Sequence, residues 1–130
     1  MIKESVSYGK TFTISMAMRW TDLDRREQIE QIKEESKTQP VLIFKHSTRC
    51  AISDMALNRL ERNWKSEGVA PLKMYYLDLI SHRAISQRVA DFFEVEHESP
   101  QVLIVKEGNP VYVRSHYAIT FDEIQRLFPS

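Results

Sequence analysis

The chain has 130 residues, 42% of them hydrophobic and 28% charged, proportions that suit a single domain with a real core. Eighteen Lys and Arg balance eighteen Asp and Glu, so no basic excess points to nucleic acid and no acidic excess marks a solvating tail. Apolar runs such as Val41-Leu42-Ile43-Phe44 are far too short to cross a bilayer, and the opening MIKESVSYGK lacks the apolar region and cleavage site of a secretory leader, so no membrane is expected as a partner.

Residues 1–19 are the hardest to place. Tyr8, Phe12, Ile14 and Met16 recur at even spacings, as in an edge strand, but a loosely ordered extension fits as well. The domain is expected to span residues 20–130. Leu23, Ile29 and Ile32 mark one face of a charged helix ending near Lys37. After Pro40, the run 41–44 reads as a buried strand. Ile52, Ala56, Leu60 and Trp64 repeat every four residues, which predicts an amphipathic helix over 51–66, and Gly68 stands where it would stop. Residues 72–79 supply a second strand. Ile85, Val89, Phe92 and Phe93 form the core stripe of a third helix. Residues 101–106 and 111–114, joined by Glu107-Gly108-Asn109-Pro110, predict a hairpin. Thr120 and Glu123 have the spacing of a capping box before Phe121, Ile124 and Phe128. This alternation, closed by a hairpin, predicts an α/β fold with a mixed sheet of about four strands and helices on both faces.

Cys50 is the single cysteine. One thiol excludes an internal disulfide, a dithiol cycle and a zinc site built on two cysteines of one chain, and suggests a cytoplasmic protein. The four histidines are scattered, so no metal is expected. Cys50 falls just past the strand 41–44 and at the first turn of the next helix. Ligands gather at the carboxyl ends of such strands, and helix starts carry unpaired N–H groups and a positive dipole that favour an anionic sulfur. The thiolate is the form that attacks a disulfide. Lys45, His46 and Arg49 bring positive charge to the neighbourhood. Ser53, three residues on, shares the helical face and has a hydroxyl to donate. Position alone leaves a small buried core cysteine and a water-facing serine as equal readings.

The segment FKHSTRCAIS, with Cys-x-x-Ser opening a helix, and Ser99-Pro100 before the strand 101–106 and the turn Lys106-Glu-Gly-Asn, resembles the thioredoxin superfamily over residues 20–128. Taken with YYLDLI, HESPQVLIVKEG and SHYAIT in that order, it is similar to the monothiol bacilliredoxins. Ala51 departs from the Pro or Ser that often follows the cysteine there.

The resemblance implies a thioredoxin-like fold in which Pro100 is cis and faces Cys50. It implies a catalytic Cys50, a thiolate supported by Ser53, Arg49 and Thr48, and a substrate side formed by Ser99, Pro100 and His116. The implied reaction removes bacillithiol from S-bacillithiolated client proteins through a Cys50–bacillithiol mixed disulfide. Bacillithiol is then a co-substrate, no cofactor is tightly bound, and a low-molecular-weight thiol resolves the adduct. Two other readings stay open. One is a monothiol glutaredoxin-like iron–sulfur carrier, although this chain has Ala51-Ile52 inside its Cys-x-x-Ser and no Gly-Gly pair. The other is a non-catalytic thioredoxin-like binding module.

Overall fold

The computed structural model describes residues 18–130; the edge strand weighed for residues 1–19 lies almost wholly outside them. Among the described residues nine strands and α-helices follow one another: β1 (Trp20–Asp22), α1 (Glu27–Glu35), β2 (Val41–His46), α2 (Ala51–Asn63), β3 (Lys73–Asp78), α3 (Arg83–Phe93), β4 (Gln101–Lys106), β5 (Asn109–Ser115) and α4 (Phe121–Leu127). The five strands form one mixed sheet in the order β1-β3-β2-β4-β5. β1 and β2 run parallel to β3, while β4 is antiparallel to both β2 and β5.

Strand alternation sorts the core into two layers. Leu42 and Phe44 of β2 face α2 and α4, meeting Ala56, Leu60, Trp64, Phe121 and Ile124. Val41 and Ile43 face α1 and α3, meeting Ile29, Ile32, Ile85, Val89 and Phe93. The helices therefore cover both faces of the sheet, as the alternation predicts.

The added strand β1 is three residues long, too short to display a period of two. The helix expected to carry Leu23, Ile29 and Ile32 on one face begins only at Glu27, so Leu23 lies before it. Gln28 joins the two elements: its amide oxygen accepts the N–H groups of Asp24 and Arg25 at 2.9 Å, and its amide nitrogen donates to the Asp22 carbonyl at 3.0 Å. The hairpin turn is shorter than the cluster Glu107–Pro110 suggests. Glu107 and Gly108 alone make it, with φ of 52° and 82°, the two positive values that a tight β-hairpin turn demands. At α4, Thr120 Oγ1 accepts the Glu123 N–H at 3.3 Å. The other half of the capping box does not form. Glu123 instead holds Arg114 through two contacts of 3.1 and 2.9 Å.

Candidate active site

β2 is buried along its whole length and delivers the chain to the site. Its last residue, His46, lies on the α2 face with Leu42 and Phe44. A short turn follows, in which the Cys50 N–H donates to the Ser47 carbonyl at 3.2 Å. Cys50 is the N-cap of α2, with extended backbone at φ −122° and ψ 120°. Its carbonyl accepts the Asp54 N–H at 3.0 Å, the first bond of the helix. The thiol is half-buried and makes no capping bond, so its lone pairs are not spent on the helix. The sulfur thus sits at the positive end of a thirteen-residue helix.

Ser53 is fully buried, which removes the reading of a water-facing helix serine. Its Oγ accepts the Ser47 N–H at 3.0 Å and lies 2.7 Å from His46 Nδ1. His46 Nε2 lies 3.3 Å from Asp54 Oδ1. The hydroxyl expected beside the sulfur is therefore engaged with the turn and the imidazole. Thr48 and Arg49 are exposed on the turn, and no hydrogen bond among the described residues ties either to Cys50.

Lys45 does not share the face of His46. It points to the α1/α3 side and is fully buried, with Nζ 3.2 Å from His97 Nδ1. Burial lowers its pKa to about 8. The pKa of His97 is also lowered, first by burial and then by the charge of Lys45. The positive charge that the sequence reading lends the thiol from Lys45 thus lies on the opposite side of the sheet.

The third wall comes from β4 and β5. Lys45 pairs with Gln101, so Pro100, one residue earlier, lies at the end of β2 from which Cys50 is reached. The Ser99–Pro100 peptide is cis. Ser99 Oγ is buried and has no hydrogen-bond partner among the described residues. The Pro100 carbonyl accepts the His116 N–H at 3.1 Å, so Ser99, Pro100 and His116 form one rim. His116 opens the 3₁₀ turn His116–Ala118 with φ 57°, a conformation costly for a side chain with a Cβ. Three contacts hold it there. Besides the Pro100 bond, Arg59 of α2 donates to the carbonyls of His116 and Ile119 at 3.4 and 3.2 Å. The imidazole Nδ1 lies 3.8 Å from Glu98 Oε1.

Sequence reasoning missed Asp54 and Arg59 and gave His46 only a charge. Their roles depend on how α2 docks against β2 and β5, which no local pattern encodes. Ile52 and Met55 on α2 and Tyr117 on the 3₁₀ turn are exposed, apolar and close in sequence to these groups. Among the described residues no cluster of three or more His, Cys, Asp or Glu is placed to hold a metal ion, and no helix is long and apolar enough to cross a membrane.

Solved structures share this fold. A solved structure described as a putative oxidoreductase with a thioredoxin fold is 30% identical, with a TM-score of 0.66 over 81% of this chain and 89% of its own. Thioredoxin from Fasciola hepatica is 18% identical, with a TM-score of 0.60 over 84% of this chain and 98% of its own. Spinach chloroplast thioredoxin f is 12% identical, with a TM-score of 0.59 over 84% and 83%. At those identities the two thioredoxins establish the fold alone. The model of the family "Monothiol bacilliredoxin BrxC" matches residues 21–124, from β1 through the first turn of α4 and across the whole site. A thioredoxin fold with one half-buried thiol at a helix start, matched over that span, makes this chain a member of the monothiol bacilliredoxin family of thiol oxidoreductases.

Proposed function

We propose that the chain removes bacillithiol from S-bacillithiolated client proteins by monothiol disulfide exchange. The observation that carries this reading is the placement of Cys50: the chain's single thiol, accessible, uncommitted and at the N-terminus of α2. The Cys50 thiolate attacks the bacillithiol sulfur of the client's mixed disulfide. A bond forms between Cys50 and bacillithiol, the client's sulfur–sulfur bond breaks, and its cysteine leaves as a thiolate that takes a proton from solvent. The helix N-terminus stabilises the attacking anion. The incoming compound lies along Ser99 and Pro100, with His116 at the rim.

This chain has no second cysteine, so the Cys50–bacillithiol disulfide is opened by an external thiolate, bacillithiol itself or a reductase. Its partners are then clients and a small thiol, with bacillithiol as co-substrate, in a reducing compartment such as the cytoplasm.

Intact mass after mixing the reduced chain with a bacillithiolated protein tests this, with a glutathionylated protein in parallel. The expected result is a bacillithiol adduct confined to Cys50, release of the client thiol, and no adduct on Cys50→Ser. An adduct from the glutathione donor alone would transfer the assignment to glutaredoxin-like chemistry. No adduct from either, on folded protein, would leave a binding module.

A further inference from the structure

A serine hydroxyl has one proton and two lone pairs. At Ser53 one lone pair is filled by the Ser47 N–H at 3.0 Å. The carboxylate of Asp54, which only accepts, lies 3.3 Å from His46 Nε2 and selects the tautomer protonated at that nitrogen. In a neutral ring Nδ1 is then an acceptor, and the 2.7 Å contact with Ser53 Oγ has Ser53 as the donor. The hydroxyl is fully used, and the sulfur three residues earlier receives nothing from it. A second proton on the imidazole reverses the contact. Nδ1–H donates, Ser53 Oγ accepts twice, and its own proton is released. Cys50 stands at the N-cap, three residues before Ser53 on the same helical turn, and its thiolate is an acceptor open to that proton.

We propose that His46, held by Asp54, is a positioning residue for Cys50, its protonation turning the Ser53 hydroxyl from the imidazole to the thiolate. The inference rests on the reading of Cys50 as the attacking group, and it makes proton uptake at His46 and formation of the thiolate mutually favourable through Ser53. Burial of the ring opposes a second proton and the neighbouring carboxylate of Asp54 favours it. Asp54 comes from α2. Tyr76 comes from β3, its ring centroid 5.6 Å away, and Asp78 is the register partner of His46. Asp22 of β1 and Glu61 of α2 act on Tyr76 together with Asp54 and Asp78, and His82 ahead of α3 acts on Asp22. Lys45, the adjacent cation, is on the other side of the sheet.

Nitrogen-15 NMR of the histidines reads both parts in the full chain, reduced and after Cys50 is capped with iodoacetamide; His46→Gln assigns the signal. The expected neutral tautomer carries its proton on Nε2. The His46 titration midpoint is expected to lie at least half a pH unit higher with the free thiolate than with capped sulfur, about threefold in proton affinity. Ser53→Ala should shrink that gap by half or more, and Ser53→Thr should restore it, because a purely through-space effect of the sulfur charge needs no hydroxyl. An Nδ1–H tautomer, the absence of a gap in the parent chain, or a gap unchanged in Ser53→Ala would each overturn the proposal. The first two readings need no variant, so a Ser53→Ala chain that fails to fold does not shelter it. No measurement here uses bacillithiol. A chain that shows the gap but forms no bacillithiol adduct retains the relay and loses the proposed reaction; the reverse outcome does the opposite.

Discussion

Lys45 Nζ stands 3.2 Å from His97 Nδ1, a buried cation whose hydrogen-bond partner is an imidazole and not a carboxylate. Burial lowers the Lys45 pKa from 10.5 to about 8. Between those values the unfolded chain binds more protons than the folded one, so stability rises with pH across that window. Tyr75, Tyr76 and Tyr112, all raised by burial, reverse the trend once pH passes their ordinary ionisation. Urea unfolding should show a gain of roughly 1–2 kcal/mol between pH 7 and pH 9.5. Lys45→Met should be more stable than the parent at pH 7 and should lose the rise. An unchanged rise in Lys45→Met would show that another group is responsible.

His116 holds a left-handed backbone with φ 57° although it carries a Cβ. Glycine removes that conflict and a β-branched residue worsens it. His116→Gly and His116→Val should therefore differ by roughly 1–2 kcal/mol in unfolding free energy, with valine the weaker. The exposed ring contact with Glu98 contributes little to the difference. Equal stabilities would mean that the turn relaxes out of the left-handed region.

Arg59 fastens this turn to α2 through the carbonyls of His116 and Ile119. Arg59→Met keeps much of the stem packing and removes the donors. The amide of Ile119, which bonds back to the His116 carbonyl, should exchange with deuterium about fivefold faster in the variant, the equivalent of one ordinary hydrogen bond of ~1 kcal/mol. Amides in the middle of β2 should be unaffected. Faster exchange across the whole sheet would place Arg59 in global stability instead.

Arg114 and Glu123 meet through two charge-assisted bonds. Their side chains are 41% and 31% exposed, enough for water and salt to screen the pair. A double-mutant cycle with Arg114→Ala and Glu123→Gln should give a coupling of about 0.5–1 kcal/mol at low salt, falling as salt is added. A salt-independent coupling would assign it to the hydrogen bonds between the two side chains and not to their charges.

Much of this fold is written in local patterns. The run 41–44, the stripe Ile85-Val89-Phe93, and Thr120 ahead of Phe121 each announce their element, because burial of one face or satisfaction of one helix end is decided within a few residues. β1 is silent because three residues show no period. Cys50 is legible by its address between strand and helix, and Ser99-Pro100 by its likeness to a known pattern. The relations among His46, Ser53 and Asp54 are not legible, since they arise where α2 lies against the end of β2. Lys45 misleads for the same reason. A lysine in sequence reads as surface charge, and only the strand's alternation decides that it turns inward and away from the thiol.

Helix α2 carries the sulfur at its cap, Ser53 and Asp54 on its first turn, and Arg59 a turn and a half further on. Those groups share one rod of thirteen residues, about 20 Å long. Their spacing along the helix is fixed by its pitch, so a tilt or slide of α2 moves Cys50, the Ser53 and Asp54 contacts with His46, and the fastening of the His116 turn together. The placement of all of them is thereby reduced to the seating of a single helix on Leu42 and Phe44. A cavity cut into that seat, far from the sulfur, would shift every one of these groups at once.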